Sequence, residues 1–387
     1  MKYRVTCLTP TLVGDGQRLS PIDYMVWKEH VNVLDQRRIF KLLAKGPRLE
    51  GYLSQIRKAE KLDFANWGGF AQNFAGRRIT FEDPALAAVW EKQRAEALFI
   101  PTFAAGPAGP YLPASALRGA LHTALLFHRW QDVIWERVQQ RIDRDKDARR
   151  LAEPAEEFAI GLGGSSRMRS FGLADTAHVA ASAMKVYLLR TANLVERGGR
   201  FELAWKTSSR GNAEPRRVDE SAAVFCEMAS PGTVFEGDWF ARKYLANPEM
   251  LRALRWKEPV RSKTIMEAAN AFSACLLAIH RRYASLAGLK ALDESLGRLE
   301  SRLEQARASS NSCLLAVGWG TGFLSKTGHP ETDGERYRKL LRQLPPFSGV
   351  SQSGRPFPKT RRVVFLAGQP AALPGWVHLE MEDPAAD

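Results

Sequence analysis

A glycine-rich segment near the carboxyl end of the chain has the composition of a phosphate-binding loop. Between residues 318 and 328, glycine alternates with other residues at first, and lysine and hydroxyl side chains follow. A nucleotide-binding P-loop requires Gly, four residues, and then Gly-Lys-Ser/Thr at the start of a helix. Counted from Gly320, Ser325 replaces the second glycine, and Pro330 interrupts the helix that the motif needs. No βαβ unit surrounds these glycines, so a dinucleotide fingerprint is excluded as well.

The same segment is better suited to the backbone of an RNA chain. Gly320 and Gly322 let the main chain approach a ligand closely, and Lys326 supplies a positive charge. Trp319 and Phe323 either stack a base or belong to the hydrophobic core, and the sequence leaves both interpretations open.

Two other segments have features of an anion site. Gly14 and Gly16 follow the first strand, where they either expose backbone N–H groups or form a plain turn. A helix begins near residue 114, with Ser115 as its expected cap and Arg118 within one turn. This second segment is either a phosphate site or an ordinary capped helix whose Arg118 faces solvent.

Catalytic chemistry has only isolated candidates. The histidines to consider are His30 and His122, and the carboxylates are Asp15, Asp23 and Asp35. His122 follows Arg118 by one turn, but no second base is clearly paired with it. The four cysteines are scattered in apolar stretches without zinc spacing, which predicts reduced, buried thiols. We therefore predict no catalytic residue, no metal site and no cofactor.

Charge is unevenly distributed along the chain. Lys and Arg number 56 and Asp and Glu number 42, so the formal net charge is +14. Residues 336–379 contain eight bases and no acid, which leaves the bases without a local partner and favours a polyanion site. Several prolines and glycines break this stretch, so it cannot form a basic amphipathic helix for a membrane surface.

The surrounding elements predict an α+β fold. Alternating apolar residues predict strands at 3–7, 31–35, 170–173, 183–191, 201–205, 222–228, 234–240, 361–366 and 376–381. Helices are predicted at 37–44, from 114 and at 133–150, and two apolar stripes predict a helical hairpin that turns near Gly288. Gly198 and Gly199 are expected to form a hairpin turn.

We divide the chain into two regions. Residues 1–245 are expected to form an RNA-binding region with inserted helices, and residues 246–387 a helical hairpin, the glycine-rich loop and basic strands. Loops are expected at 67–70 and at 206–217, the second being basic and exposed. The amino terminus enters a strand without an apolar signal core, which predicts a cytoplasmic location.

Taken together, these segments resemble the RAMP proteins of CRISPR systems, and most closely the terminal RAMP subunit (the fifth Csm subunit) of type III-A effectors. The motifs that carry the resemblance are Thr9–Gly16 with Leu19–Tyr24, Leu112–Gly119, Gly318–Thr327, Pro358–Arg362 and Gly375–Val377. The first and second are shared by many RAMPs, and the carboxyl-terminal combination is more specific. Ala114 and Ala116 depart from the usual Gly and Ser, so a direct approach of a phosphate to the backbone at Ala114 is not expected.

The resemblance implies a RAMP-type ferredoxin-like or RNA-recognition-like domain with a helical carboxyl-terminal portion. It implies binding of the 3′ part of the CRISPR RNA and, through it, of target RNA. It also implies contact with the neighbouring backbone RAMP subunit, and guide maturation by recruited host nucleases. The basic loop at 206–217 would enter the guide–target duplex. Matched residue by residue, the implied RNA contacts are Gly14, Gly16, Ser115, Arg118, Gly320, Gly322, Lys326, Arg361 and Arg362.

Two alternatives remain open at this level. One is a guide-processing endoribonuclease of the same superfamily, and the other is a protein–protein adaptor whose basic stretch is incidental.

Overall fold

A computed structural model describes residues 1–44, 48–58, 74–94, 97–145, 150–207, 214–347 and 356–382. The predicted loop at 67–70 lies outside these ranges, as do Arg355 and residues 208–213 of the basic loop. No helix within these ranges is both long and apolar enough to cross a membrane.

Runs of strands and runs of helices follow one another along the chain, as in α+β folds. The strands are β1 (Lys2–Cys7), β2 (Arg18–Leu19), β3 (Tyr24–Trp27), β4 (His30–Leu34), β5 (Ala75–Phe81), β6 (Ile100–Pro101), β7 (Ala105–Gly106), β8 (Gly109–Pro110), β9 (Phe171–Leu173), β10 (Met184–Arg197), β11 (Arg200–Trp205), β12 (Val224–Ala229), β13 (Val234–Ala241), β14 (Ser312–Ala316), β15 (Thr360–Leu366), β16 (Gln369–Ala372) and β17 (Trp376–Met381). The helices are α1 (Gln36–Leu43), α2 (Arg48–Lys58), α3 (Leu86–Glu91), α4 (Ala114–His128), α5 (Asp132–Arg144), α6 (Glu153–Ala159), α7 (Pro248–Leu254), α8 (Ser262–Ala287), α9 (Lys290–Arg307) and α10 (Glu335–Arg342).

The first sheet has the order β14-β17-β1-β13-β9, and every neighbouring pair is antiparallel. Val5 at the centre of β1 lies opposite Phe235 on one side and Leu379 on the other, and all three are fully buried. In chain order, β1–α4–β9–β13–α8–β17 is the βαββαβ arrangement of ferredoxin-like folds, with β14 added at the edge. The predicted α+β, ferredoxin-like class is confirmed.

Helices α8 and α9 form the predicted hairpin. The chain reverses at Gly288, whose φ of +65° places it in the left-handed region that ends many helices. The α8 stripe is buried except for the half-buried Ile279. On the same helix, Asn270 exchanges hydrogen bonds with the backbone of β14 at 3.0 and 3.1 Å. These bonds occupy backbone groups of an edge strand that would otherwise be open to another chain.

The second sheet is built around β10, which is longer than the predicted strand. Its order is β16-β15-β10-β5-β4-β3, and β10 also pairs with β11 and β12. Gly198 and Gly199 have φ of +57° and +75° and join β10 to β11, so the predicted hairpin turn is confirmed. Several elements were not predicted, among them strands β3 and β5 and helices α2 and α10.

Both sheets combine strands from before and after residue 245. The first sheet takes β14 and β17 from the later region, and the second takes β15 and β16. The division into regions 1–245 and 246–387 stays a prediction. The helix predicted at 133–150 ends earlier, at Arg144. Of the cysteines, Cys7, Cys226 and Cys313 are buried as predicted, whereas Cys275 is half-buried.

Candidate nucleic-acid interface

A groove of about 920 Å³ lies where three segments distant in sequence meet. Its walls are the loop 12–18 after β1, the first turns of α4, and the segment 316–326 after β14. We call this the groove, and the segment 318–326 the glycine loop. Four of the predicted RNA contacts line the groove: Gly14, Gly16, Ser115 and Lys326. The structure therefore brings together residues that the sequence separates by about 300 positions.

The glycine loop is anchored to the loop after β1. The N–H of Trp319 donates to the carbonyl oxygen of Leu12 at 2.7 Å. Gly318 has a φ of +83°, and a Cβ there would lie 2.1 Å from the same oxygen. Glycine is required at 318 for both reasons. Gly322 has a φ of +86° but faces open space, so its backbone is accessible from outside.

Positive charge predominates in the groove. Lys326 is exposed and forms no ion pair with any residue that the structure describes. The Arg18 guanidinium lies 4.4 Å from the centre of the Phe99 ring. Asp15 is the carboxylate of the groove, and its side chain accepts a hydrogen bond from the N–H of Gln17 at 3.0 Å. Two cations and one anion line a channel that phosphates can enter.

The start of α4 differs from the prediction. Pro113 is the N-cap residue and Ser115 lies inside the first turn, so the expectation that Ser115 caps the helix was wrong. The N–H of Ala114 donates to Asp175 Oδ1 at 2.7 Å, because a loop from beyond α6 reaches this helix end. The Asp175 carboxylate is thus hydrogen-bonded to one of the N–H groups at the start of the helix. Its negative charge would repel a second anion there. The resemblance also gave no expectation of phosphate contact at Ala114.

Small residues, rather than Arg118, form the wall that α4 gives to the groove. These are Ser115, Ala116, Gly119, Ala120 and Thr123. Their spacing along one helix face is a signal in the sequence that could identify this wall. Arg118 is exposed on another face, with Nη2 3.4 Å from the Met168 carbonyl oxygen, and it does not line the groove.

A second concave space, of about 360 Å³, lies behind the glycine loop, and we call it the cavity. Ala316 and Thr321 line both the groove and the cavity. The remaining predicted contacts line the cavity: Gly320, Gly322, Arg361 and Arg362. Eight of the nine predicted residues thus lie on two neighbouring concave surfaces, and Arg118 does not.

Arg361 is a buried side chain at the base of the cavity, only 8 % exposed. Its Nε donates to His280 Nδ1 at 3.1 Å, and Nη1 donates to the carbonyl oxygens of Pro358 and Thr360 at 2.7 and 2.8 Å. Burial lowers the pKa of Arg361 to about 10 and lowers that of His280 well below its ordinary value. A neutral His280 can accept this hydrogen bond, so Arg361 is held rigidly.

The two candidate stacking residues have different environments. Trp319 is half-buried, and the Arg362 guanidinium lies 4.2 Å from the centre of its ring. Phe323 is 39 % exposed and touches Phe357 edge-on, with 5.6 Å between ring centres. Phe323 is therefore the aromatic residue of the glycine loop with an open face.

Comparisons with known proteins agree on the fold. No protein-family model matches the sequence, and no curated protein matches it either. The structure is similar to a chain from a cryo-EM structure of a Csm–crRNA–target RNA ternary complex of a type III-A CRISPR-Cas system. The TM-score is 0.67 and the identity 19 %, and the match covers 98 % of this chain and 100 % of that chain. The crystal structure of T. onnurineus Csm5 gives a TM-score of 0.58 at 16 % identity, covering 97 % of this chain and 99 % of the other.

This chain has the Csm5 fold. The fold that the sequence motifs imply is confirmed by a likeness that spans nearly the whole length of both chains.

Within the Csm5 fold, acids from elsewhere in the chain neutralise part of the basic stretch 336–379. Arg338 pairs with Asp333 at 2.7 Å and Arg336 with Asp132 at 3.5 Å. The expectation that these bases lack a partner is therefore wrong for Arg336 and Arg338.

Glu214 neutralises two further bases, one of them at the start of the basic loop. It accepts hydrogen bonds from Asn193 Nδ2 at 2.7 Å, Lys206 Nζ at 3.1 Å and Lys359 Nζ at 3.2 Å. Partial burial alone would raise the pKa of Glu214, but these donors lower it. Lys206 and Lys359 are therefore engaged within the protein.

The candidates for catalysis are dispersed. Asp35 caps α1, accepting from the N–H of Arg38 at 3.1 Å, and Asp23 accepts from the N–H of Ser20 at 2.7 Å. In the part of the chain that the structure describes, no three His, Cys, Asp or Glu side chains are placed to hold a metal ion. His122 is half-buried and lines neither the groove nor the cavity, and burial lowers its pKa.

Proposed function

We propose that this chain is a non-catalytic RNA-binding subunit of a type III-A Csm effector, and that it holds the 3′ part of the guide RNA at the end of the complex. The Csm5 fold supports this proposal, since the likeness covers nearly all of both chains. One similar chain comes from a complex that contains crRNA and target RNA. Target RNA would reach this subunit through pairing with the guide.

The groove is the observation that carries the proposal. It brings two glycine-containing loops and a helix face together around Lys326, and no carboxylate among the described residues forms an ion pair with that lysine. Glycines allow backbone approach, and Lys326 and Arg18 provide the charge that a phosphate chain requires. Such a surface binds RNA through its backbone and so accepts guides of any sequence.

Assembly and guide maturation belong to the same proposal. A subunit that holds the 3′ part of a guide determines how much of that guide a recruited host nuclease can reach. Contact with the neighbouring backbone RAMP subunit would fix its position at the end of the effector, in the cytoplasm.

Salt dependence of RNA binding tests the proposal. Affinity of the full chain for single-stranded RNA, measured by fluorescence anisotropy, is expected to fall steeply with salt. The Lys326→Ala variant should reduce the slope of log affinity against log salt by about one. Lys290→Ala is the matched control, because Lys290 is exposed at the start of α9 and lines neither surface. Affinity that does not change with salt would contradict the proposal.

Guide length tests the role in maturation. In effectors reconstituted in their host, the Lys326→Ala subunit is expected to yield guides with shorter, more heterogeneous 3′ ends than the Lys290→Ala subunit. Identical 3′ ends in the two preparations would contradict that part of the proposal, even where binding itself is salt-dependent.

A further inference from the structure

We propose that the cavity behind the glycine loop receives one nucleobase that turns out of the RNA in the groove, and that it prefers a base with a carbonyl oxygen. Phe323 stacks on this base, and Arg361 donates a hydrogen bond to its oxygen. This inference rests on the proposed function and adds a subsite to it. It assigns a base-binding role to a space that phosphate contacts alone do not use.

The groove and the cavity are continuous. Ala316 and Thr321 line both, so a nucleotide in the groove beside Thr321 needs to cross only the glycine loop to place its base in the cavity. Gly322 follows Thr321 and lines the cavity, and apart from its chain neighbours no described residue has an atom within 4 Å of where its Cβ would be. The volume of about 360 Å³ is at the lower end of the range of small-ligand pockets, about 300–1,000 Å³.

The walls of the cavity are suited to the faces of a flat ring. Phe323 presents an open face, while Pro358, Pro374 and Trp376 supply apolar surface. Trp319 is not available in the same way, because the Arg362 guanidinium covers it. Stacking on one aromatic side chain is common in single-strand binding and tolerates any base. The preference among bases must therefore come from the polar groups.

Arg361 provides the polar contact. Its Nε and Nη1 are satisfied by the protein, but Nη2 has no hydrogen-bond partner among the residues described. Because Arg361 lines the cavity, this donor is available to an acceptor on a ligand there. The carbonyl oxygens of uracil and guanine satisfy it, whereas adenine has no exocyclic oxygen. His280 and the Tyr283 ring hold Arg361 in place, so little ordering is needed on binding.

The buried guanidinium could also attract a phosphate group. Two observations favour the base. Lys206, the lysine of the cavity wall, is paired with Glu214 at 3.1 Å, and that carboxylate opposes a second anion. A base would cover the apolar surface of Phe323 and the prolines and remove it from water, which is favourable. A phosphate would give no such hydrophobic contribution.

The test is a double-mutant cycle between Phe323 and the RNA bases. Affinity of the full chain is measured for a short uridine-only RNA, for an adenosine-only RNA, and for a chemically stable RNA of the same length that lacks every base. Phe323→Ala is expected to weaken binding of the uridine RNA about tenfold, and to leave binding of the baseless RNA unchanged. Phe240→Ala is the matched control, because Phe240 is 43 % exposed on a strand away from both surfaces. Wild-type protein should bind uridine RNA more tightly than adenosine RNA.

Each outcome distinguishes the subsite from the groove. Equal effects of Phe323→Ala on the uridine and baseless RNAs would overturn the base subsite, while steep salt dependence would leave the proposed function standing. Dependence on a 3′-phosphate instead of on bases would assign the cavity to phosphate and also overturn it. If no RNA binds at any salt concentration, the proposed function fails and the subsite fails with it. Thermal unfolding of both variants shows whether they remain folded, and the RNA series with wild-type protein tests the base preference without any substitution.

Discussion

The groove and the outer face of the five-stranded sheet use charge in opposite ways. On the sheet face, Lys2 pairs with Asp238 at 2.9 Å and Arg4 with Glu236 at 3.2 Å, so its bases are neutralised by the neighbouring strand. In the groove, Lys326 has no such partner among the residues that the structure describes. RNA-recognition domains bind RNA on their sheet through aromatic residues, but the exposed positions of β1 in this chain are Lys2 and Arg4. A sheet shared with RNA-recognition folds does not fix where RNA binds, and in our proposal the loops at its ends supply the site.

Charge reversal on the two faces is expected to give the largest difference. The double variant Lys326→Glu with Arg18→Glu, which reverses both cations of the groove, should weaken binding of single-stranded RNA about 100-fold at low salt, because two attractions become repulsions. Arg4→Glu should change it less than about twofold, since Arg4 lies on the other face. Anisotropy titrations at low salt measure both. Equal losses for the two variants would remove the distinction between the faces.

Gly318 and Gly322 of the glycine loop share a backbone conformation but differ in their surroundings. Gly318→Ala is expected to lower the free energy of unfolding by about 1–3 kcal/mol more than Gly322→Ala. Both positions have a positive φ, but only at 318 would the new Cβ meet the Leu12 carbonyl oxygen. Urea unfolding of the two variants checks this difference. Equal losses would show that the anchor to Leu12 does not determine the loop conformation.

The sequence predicted elements whose signals are local. The period of β1, the two stripes of the helical hairpin and the turn at Gly288 depend on neighbouring residues, and the structure has all of them. The glycine loop and the residues Gly14 and Ser115 could be selected individually, since their composition is suited to binding a phosphate chain. These residues line one groove because of the order of the strands in the sheet. Local sequence patterns do not give that order.

Side-chain partners could not be predicted in the same way. Asp132 reaches Arg336 from a position 204 residues away, and Asp175 caps α4 from 61 residues away. Arg361 is adjacent to Arg362 in sequence, but strand alternation turns one into the core and the other to the surface. Placing Arg118 outside the groove likewise required the orientation of α4 on the sheet.

Acid is expected to destabilise the cavity region more than the sheet face. Burial lowers the pKa of His280 well below its ordinary value, and Arg361 lowers it further. In the unfolded chain His280 would bind a proton near pH 6.5, whereas in the folded protein it stays neutral to lower pH. The free energy of unfolding therefore falls as the pH drops below that value. The loss is up to about 1.4 kcal/mol per pH unit.

Glutamine substitutions separate the contributions of individual histidines. His280→Gln keeps an acceptor for Arg361 and removes the titration, so the dependence on pH should become shallower. His378→Gln should have less effect, because burial lowers the pKa of His378 but Glu380 at 3.6 Å offsets part of that shift. Urea unfolding between about pH 5 and pH 7 measures both slopes. A larger change in slope for His378→Gln than for His280→Gln would contradict the expected ranking of the two histidines.

The smallest effect is expected for an ion pair of the sheet face. Glu236→Gln should change the free energy of unfolding by less than about 1 kcal/mol, since both side chains of the Arg4–Glu236 pair are more than half exposed and are screened by water. RNA affinity should stay the same or rise slightly, because one negative charge is removed. Thermal unfolding and anisotropy measure the two quantities, and a large loss in either would assign the sheet face a role in stability or in RNA binding.

Photocrosslinking tests the central claim most directly. RNA that carries 4-thiouridine is bound to the full chain and irradiated, and the crosslinked peptides are identified by mass spectrometry. We expect crosslinks in the loop after β1 and in the glycine loop, with Phe323 among the modified residues. Crosslinks concentrated on β1 and β13, at the exposed positions of the five-stranded sheet, would contradict it.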